Sequence, residues 1–342
     1  MKILLLSILL LPTFAFSQNE VLKPLTENTP TSLRGLSVVN DSVAWVSGSN
    51  GFVGKTINGG ASWTWIKAKG YEKVDFRDIE AFSKTDAVIV SAGSPAYILT
   101  TNNGGKTWSE NYKNTDTAIF LDGMGFWTKA RGIAFGDPIA HKMQLLTTEN
   151  GGKTWQNSSS YLTKNLADGE AGFAASGTSI KTLDDGIAFV ATGGTVSNIY
   201  RTDDYGKTWK VFKCPILQGK STTGPFSIDF YDKNTGVAVG GNYVKDQDST
   251  KAAMLTYNGG KTWSAPASSV KGYRSGVAYL SKEILIATGT SGTDMSVDGG
   301  KNWRNISEKS FNVVQKAKNG ELILLAGEKG KIYQLVLGSK TE

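Results

Sequence analysis

Three arginines, Arg34, Arg77 and Arg274, stand at equivalent positions, each just before a short apolar run opening at Leu36, Ile79 or Gly276. Guanidinium groups converging from separate segments would hold a carboxylate or a phosphate through paired N–H donors. Pairing with acids such as Asp78 or Asp122 would instead make each arginine a stitch between neighbouring segments. A second chemistry needs two carboxyl groups, about 5–5.5 Å apart for retaining glycoside hydrolysis or about 6.5–9.5 Å for inversion. Asp78, Glu80, Asp122, Asp137, Glu170 and Asp229 are the candidates, and the sequence selects no pair among them.

Other reactive types are scarce. Cys214 is the single cysteine and His141 the single histidine, so no internal disulfide forms and a thiol nucleophile has one base to draw on. A buried structural thiol is the expected role of Cys214. Two stretches break the surrounding pattern and read as loops at a binding face: 136–142, expected as an insertion that carries Asp137, Pro138 and His141, and 242–248. Asp137 beside Pro138 also suits a simple turn. Asp246 and Asp248 are too few for a calcium site, and no metal is expected.

The elements that position these residues come from a repeat. One phrase, Ser/Thr-x-Asn/Asp-(Gly)-Gly-x-Ser/Thr-Trp with Asn as the seventh residue in the last copy, occurs six times. Its third residue and closing tryptophan are Asn58 and Trp63, Asn103 and Trp108, Asn150 and Trp155, Asp204 and Trp209, Asn258 and Trp263, and Asp298 and Trp303. The tryptophans fall 45, 47, 54, 54 and 40 residues apart. That interval fits a four-stranded propeller blade. The side chain at the third position suits an Asx-turn, glycine supplies positive φ, and tryptophan plugs the turn from beneath. Four copies carry Asn, so a carboxylate is not required and the phrase reads as structural. Tyr205 replaces the first glycine in one copy, which marks the second glycine as the more constrained.

Upstream of each phrase lie short β-branched runs bounded by turn residues, such as 42–48, 87–93 and 283–289. Counting these runs yields seven units, the last at 311–337, which stops where its own phrase would begin. The segment 21–25 looks like an orphan outer strand. Pairing it with 331–337 would close a ring and leave no open edge. The expectation is an all-β, seven-bladed propeller with four-stranded antiparallel blades, closed by the N-terminal strand in the last blade.

The N-terminus reads as a leader. Lys2 precedes the aliphatic run 3–11, Pro12 breaks it, and Ala15-Phe16-Ser17 offers small residues for cleavage after Ser17. Residues 1–17 are thus expected as a signal peptide and 18–342 as one domain. No cysteine follows the run, so a lipid anchor is not expected. No stretch reaches membrane-spanning length. An exported chain, periplasmic or extracellular and acting as a monomer, is expected. Its net charge of +7 falls to +6 on loss of Lys2, which favours acidic partners. Without a basic run or an aromatic-basic motif, nucleic acid is not expected.

The phrase resembles the Asp-box, or BNR repeat, of sialidases, xyloglucanase-type glycosidases and sortilin-type receptors. The whole unit, Phe226 through Gly241 leading to Thr256-Tyr-Asn-Gly-Gly-Lys-Thr-Trp263, is closer to the photosystem II stability/assembly factor-like propellers. The resemblance covers about residues 20–338. It implies a propeller used as a binding or assembly scaffold. The sialidase arginine motif Phe/Tyr-Arg-Ile-Pro is absent, and Phe76-Arg77-Asp78-Ile79 is a distant echo. No nucleotide fingerprint is present and no cofactor is expected. The reading is a non-enzymatic exported scaffold that binds a protein or glycan and serves an envelope assembly. The alternative is a glycoside hydrolase at the central channel mouth.

Overall fold

The computed structural model describes residues 20–338; the leader and its cleavage point lie outside them. The described residues form seven antiparallel sheets. Their innermost strands are Leu33–Val38, Asp75–Ala81, Leu121–Phe126, Ile180–Thr182, Thr223–Phe230, Gly276–Tyr279 and Val313–Lys316. Each touches the next, and the last returns to the first, so the seven blades surround one axis.

Ring closure follows the expectation. Strand Glu20–Thr26 pairs antiparallel with Ile332–Leu337 and becomes the outer strand of blade seven. Its side chains bridge both neighbours. Leu22 packs into the apolar layer between blades six and seven, and Leu25 into the layer between seven and one. The core as a whole lies between blades rather than on the axis. Val88, Val90 and Ile98 of blade two, for example, pack against Leu121, Met124 and Ala134 of blade three.

The repeated phrase works as a turn that fastens the outside of each blade to its inside. In the first copy, Thr56 Oγ1 accepts from Gly60 N at 2.9 Å, and Asn58 Oδ1 accepts from Ser62 N at 2.9 Å. The residue after the Asn or Asp donates its N–H to a carbonyl in the first turn of the same blade, at 2.8–3.0 Å in all six copies. Both phrase glycines have positive φ, the first position near 63–77° and the second near 81–90°. Tyr205 tolerates the first, at φ 63°. In two copies the second is also crowded by a leucine. A Cβ on Gly60 would lie 2.4 Å from Leu25, and on Gly300 2.8 Å from Leu255.

Two blades depart from the four-stranded rule. Blade five has three strands, and its outer strand shrinks to the mutual bonds of Leu255 and Ser264. Pro266 follows at once and cannot donate to a ladder. In blade four the inner strand is split: Glu170–Ala171 pairs with Gly194 and Gly193, and Ile180–Thr182 pairs with Val190 to Ala188. The stretch 136–142 corrects the sequence reading, because it is no inserted loop. Gly132–Ile139 and Lys142–Thr148 run on as a hairpin, turned by Ala140 and His141 alone, both at positive φ.

Deleting residues 18–27 removes the seam strand and bares the edge of blade seven. The thermal midpoint is expected to fall by roughly 10 °C or more. A truncated chain that melts like the intact one contradicts closure through this strand.

Candidate functional site

Inner strands all begin on one face of the ring, and the phrase turns all lie on the other. Arg34 and Arg77, near the starts of their strands, therefore sit at the first mouth. There the channel is filled by residues 172–179 of blade four, which leave the split strand and reach five other blades. Arg34 Nη1 donates to Ala175 O at 2.9 Å and Arg77 Nη1 to Ala174 O at 3.5 Å. Gly172 N donates to Asp137 Oδ1 at 2.9 Å. Phe173 stacks on Phe226 at 3.8 Å, and Ser176 Oγ donates to Ser275 O at 2.6 Å. Gly177 lies so close to Asp78 that a Cβ there would meet the carboxyl at 2.3 Å.

Arg34 and Arg77 are thus neighbours at one rim. Arg77 also pairs with Asp75 at 2.8 Å, and both partners are about 30% exposed. Burial first, and then the adjacent Arg77 charge, push the Arg34 guanidinium below its ordinary value. Arg274 does not join them. It is fully buried in blade six, where it meets Asp294 at 2.6 Å and donates to Tyr273 O. The equivalence of the three arginines therefore holds in sequence but not in space, and the pairing that ties Arg274 down is with Asp294 rather than Asp78 or Asp122.

The candidate acids divide into separate tasks. Asp122 and Asp137 are close enough for their charges to act on each other, Arg77 acts on Asp122 as well, and both Asp122 carboxyl oxygens are buried without a hydrogen-bond partner among the described residues. Burial and then the Asp137 charge hold the Asp122 carboxyl well above the usual carboxylate range, and burial also raises Asp137. The main-chain N–H of Asp137 reaches Phe120 O, and a register shift between Gly136 and Pro138 turns its carboxyl into the mouth. Asp78 points away from Arg77. Its two oxygens accept from Ile79 N and, across to blade three, Met124 N at 2.8 Å. Burial pushes it up to about 8. Asp229 repeats this arrangement one step from blade five to blade six, through Phe230 N and Tyr279 N, and adds Lys181 at 2.7 Å. Glu170 accepts from Thr192, Asn198 and Tyr200. Glu80 pairs with Lys318.

The remaining candidates are structural or exposed. Cys214 is buried, and desolvation raises its thiol to about 12. His141 lies on the hairpin tip, 3.5 Å from Asp168, with both side chains largely exposed. Asp246 O accepts from Tyr273 N, and Asp248 Oδ1 accepts from Thr250 N. Among the described residues no group of three metal-ligating side chains gathers.

Sequence reasoning missed two features. One is the channel-filling excursion 172–179, whose signal is the longer interval between Trp155 and Trp209. The other is a cavity of about 410 Å³ at the opposite mouth, edged by Lys181, Lys316 and Lys318. These lysines stand at strand ends, where lysine draws no notice.

With that geometry in place, comparison with known proteins is informative. The family model for the photosynthesis system II assembly factor YCF48 matches residues 17–160, and that for sortilin, neurotensin receptor 3, matches 143–294. No curated protein matches the chain. The solved structure of YCF48 bound to D1 peptide is 14% identical with a TM-score of 0.65, covering 95% of this chain and 97% of that one. YCF48 from Cyanidioschyzon merolae is 17% identical at 0.64, covering 92% and 98%. The WD40 propeller domain of Doa1 is 9% identical at 0.65, covering 93% and 97%. The chain is a seven-bladed β-propeller whose repeats are similar to those of BNR-type propellers. Within that class it is similar to the YCF48 assembly factor, as the repeat unit implied.

Two outcomes test the site's energetics. Arg274→Ala strands Asp294 without its partner, and a loss of about 3–5 kcal/mol is expected by denaturant titration; a loss below about 1 kcal/mol contradicts the buried pair. Asp122 and Asp78 have folded values above their unfolded ones. Their contribution is fully present in acid, below about pH 4, and is lost as pH rises, for Asp78 through about 8. Asp122→Asn should therefore reduce the fall in thermal midpoint between pH 5 and 8. An unchanged fall contradicts the protonated pair.

Proposed function

We propose that this chain is a non-enzymatic scaffold that binds a protein through the arginine mouth and serves as an assembly or stability factor outside the cytoplasm. The observation that carries the reading is the placement of Arg34 and Arg77. They stand side by side and partly exposed, Arg77 pairs with Asp75, and the main-chain carbonyls of Ala175 and Ala174 hold the two guanidinium groups. Prepositioned guanidinium groups favour a carboxylate-bearing segment. Across the same mouth, Tyr243 and Val244 are 49% and 67% exposed and offer an apolar contact beside Tyr273.

Similarity to YCF48, one structure of which holds a D1 peptide, supports a peptide segment as the ligand. Export rests on the leader-like residues 1–17. The ring is closed by strands of the same chain, and a monomer is part of this reading.

The hydrolase alternative loses its best pair. Asp122 and Asp137 are both covered by Gly172 of the plug, which leaves no room between them for a glycosidic bond. Asp78, Asp229 and Glu170 are engaged by backbone or side-chain donors.

Fluorescence anisotropy of the mature chain with matched acidic and basic nonapeptide sets tests the reading. The acidic set should bind and weaken with salt, and Arg34→Ala and Arg77→Ala should each weaken binding about tenfold or more. Equal binding of both sets, or unaltered binding by both variants, sinks the proposal. So does turnover in a fluorogenic-glycoside screen that survives contaminant controls.

A further inference from the structure

Asp122 differs from the other candidate acids in having no donor among the described residues. It is 1% exposed, and both its carboxyl oxygens are buried without a hydrogen-bond partner. A buried carboxyl in that state stays neutral, because its charged form needs donors or water. One of its oxygens lies against Gly172, the first residue of the plug. A Cβ on Gly172 would meet Asp122 Oδ2 at 2.1 Å, so the two are in direct contact. The plug runs from there to the arginines. Ala174 O accepts from Arg77 and Ala175 O from Arg34, so the seat of Gly172 on Asp122 fixes where both guanidinium groups stand.

The charged groups around Asp122 come from four sides. Asp137, on the next strand of the same blade, raises it, and Arg77 of blade two, itself paired with Asp75, opposes that. Asp78, on the same strand as Arg77, turns away to Met124 N. Glu170 opens the split strand of blade four but is engaged by Thr192, Asn198 and Tyr200, and Lys181 at its far end is held by Asp229. The far end of the plug rests on a second buried carboxyl, with Gly177 against Asp78. That contact is of another kind, because Ile79 N and Met124 N already serve a charged Asp78. Burial and the Asp137 charge hold Asp122 well above the usual carboxylate range, so it loses its proton only as pH rises past that range.

We propose that residues 172–179 are a latch, seated while the Asp122 carboxyl under Gly172 is neutral and released when that carboxyl ionises. The proton leaves to solvent. The new charge then stands beside Asp137 with no donor, and the Gly172 end lifts to admit water. The carbonyls of Ala174 and Ala175 leave the guanidinium groups, and the Asp122 carboxylate competes for Arg77. Both changes weaken the hold of the mouth on an acidic segment as pH rises. That consequence rests on the reading of the mouth proposed above, whereas the latch itself does not.

The latch is read by fluorine NMR of a fluorophenylalanine placed at position 173, where the ring stacks on Phe226. From about pH 6 to about pH 10 the parent resonance should move from a stacked to a solvent-like position. Asp122→Asn should keep the stacked position throughout. Asp137→Asn keeps an acceptor for Gly172 N and removes the neighbouring charge, so the transition should move about one unit lower in pH. Gly172 has no positive φ, so Gly172→Ala adds only the clash and should give the released signal at every pH. In the same interval the parent's affinity for the acidic nonapeptide set should fall about tenfold, and that of Asp122→Asn less than about twofold. The latch is overturned if the parent resonance stays still, if Asp122→Asn moves with the parent, or if Gly172→Ala stays stacked. An equal loss of affinity in parent and Asp122→Asn overturns its control of the mouth. Absence of acidic-peptide binding at every pH counts against the reading of the mouth, and the fluorine signal still decides the latch.

Discussion

A ring of sheets exists only if its last edge finds its first. In this chain the seam is non-covalent, because one cysteine makes no disulfide and Cys214 is buried away from the seam. Strand Glu20–Thr26 and strand Ile332–Leu337 supply the closure with a ladder of hydrogen bonds and two leucines. The two apolar layers that flank blade seven draw on it directly, because Leu22 packs into one and Leu25 into the other. Residues more than three hundred positions apart in sequence are therefore coupled in stability.

The axis is held by a different device. Apolar packing lies between blades, while the centre is crossed by polar links from one inner strand to the next. Asp78 and Asp229 reach the main chain of the following blade, Ser37 and Ser227 do the same through Ala81 N and Val277 N, and the blade-four excursion joins five further blades. Such buried polar networks are costly when incomplete and specify one arrangement when satisfied. They leave two separate mouths, one with two arginines against a plug and one with paired charges around a blind cavity. A rigid frame of this kind suits recognition, where loss of freedom on binding is small.

The architecture was legible because the phrase and the strand runs recur, and seven runs against six phrases exposed the seam. The site was legible only in part. Arg34, Arg77 and Arg274 occupy like positions in the repeat, yet Arg274 has Asp294 two strands away and turns into its own blade. A register position does not report which acid a flexible cation will meet. The stretch 136–142 read as an insertion because glycine, proline and histidine interrupt its apolar pattern, whereas two positive-φ residues complete a tight hairpin there. Residues 172–179 escaped notice because an irregular segment carries no periodicity, and only its contacts reveal its work. Lys181, Lys316 and Lys318 are unremarkable in a chain with 37 basic residues until the ring draws them to one cavity.

The central claim is that a protein partner meets the ring at the arginine mouth. The direct measurement is photo-crosslinking in the source cell, with the crosslinking residue placed at Tyr243 on that mouth or at Ile57 on the opposite face, both exposed. The account predicts one protein adduct from position 243 that disappears when Arg34 and Arg77 are both alanine. An adduct formed from position 57 alone, or one from 243 that survives loss of both arginines, would contradict it.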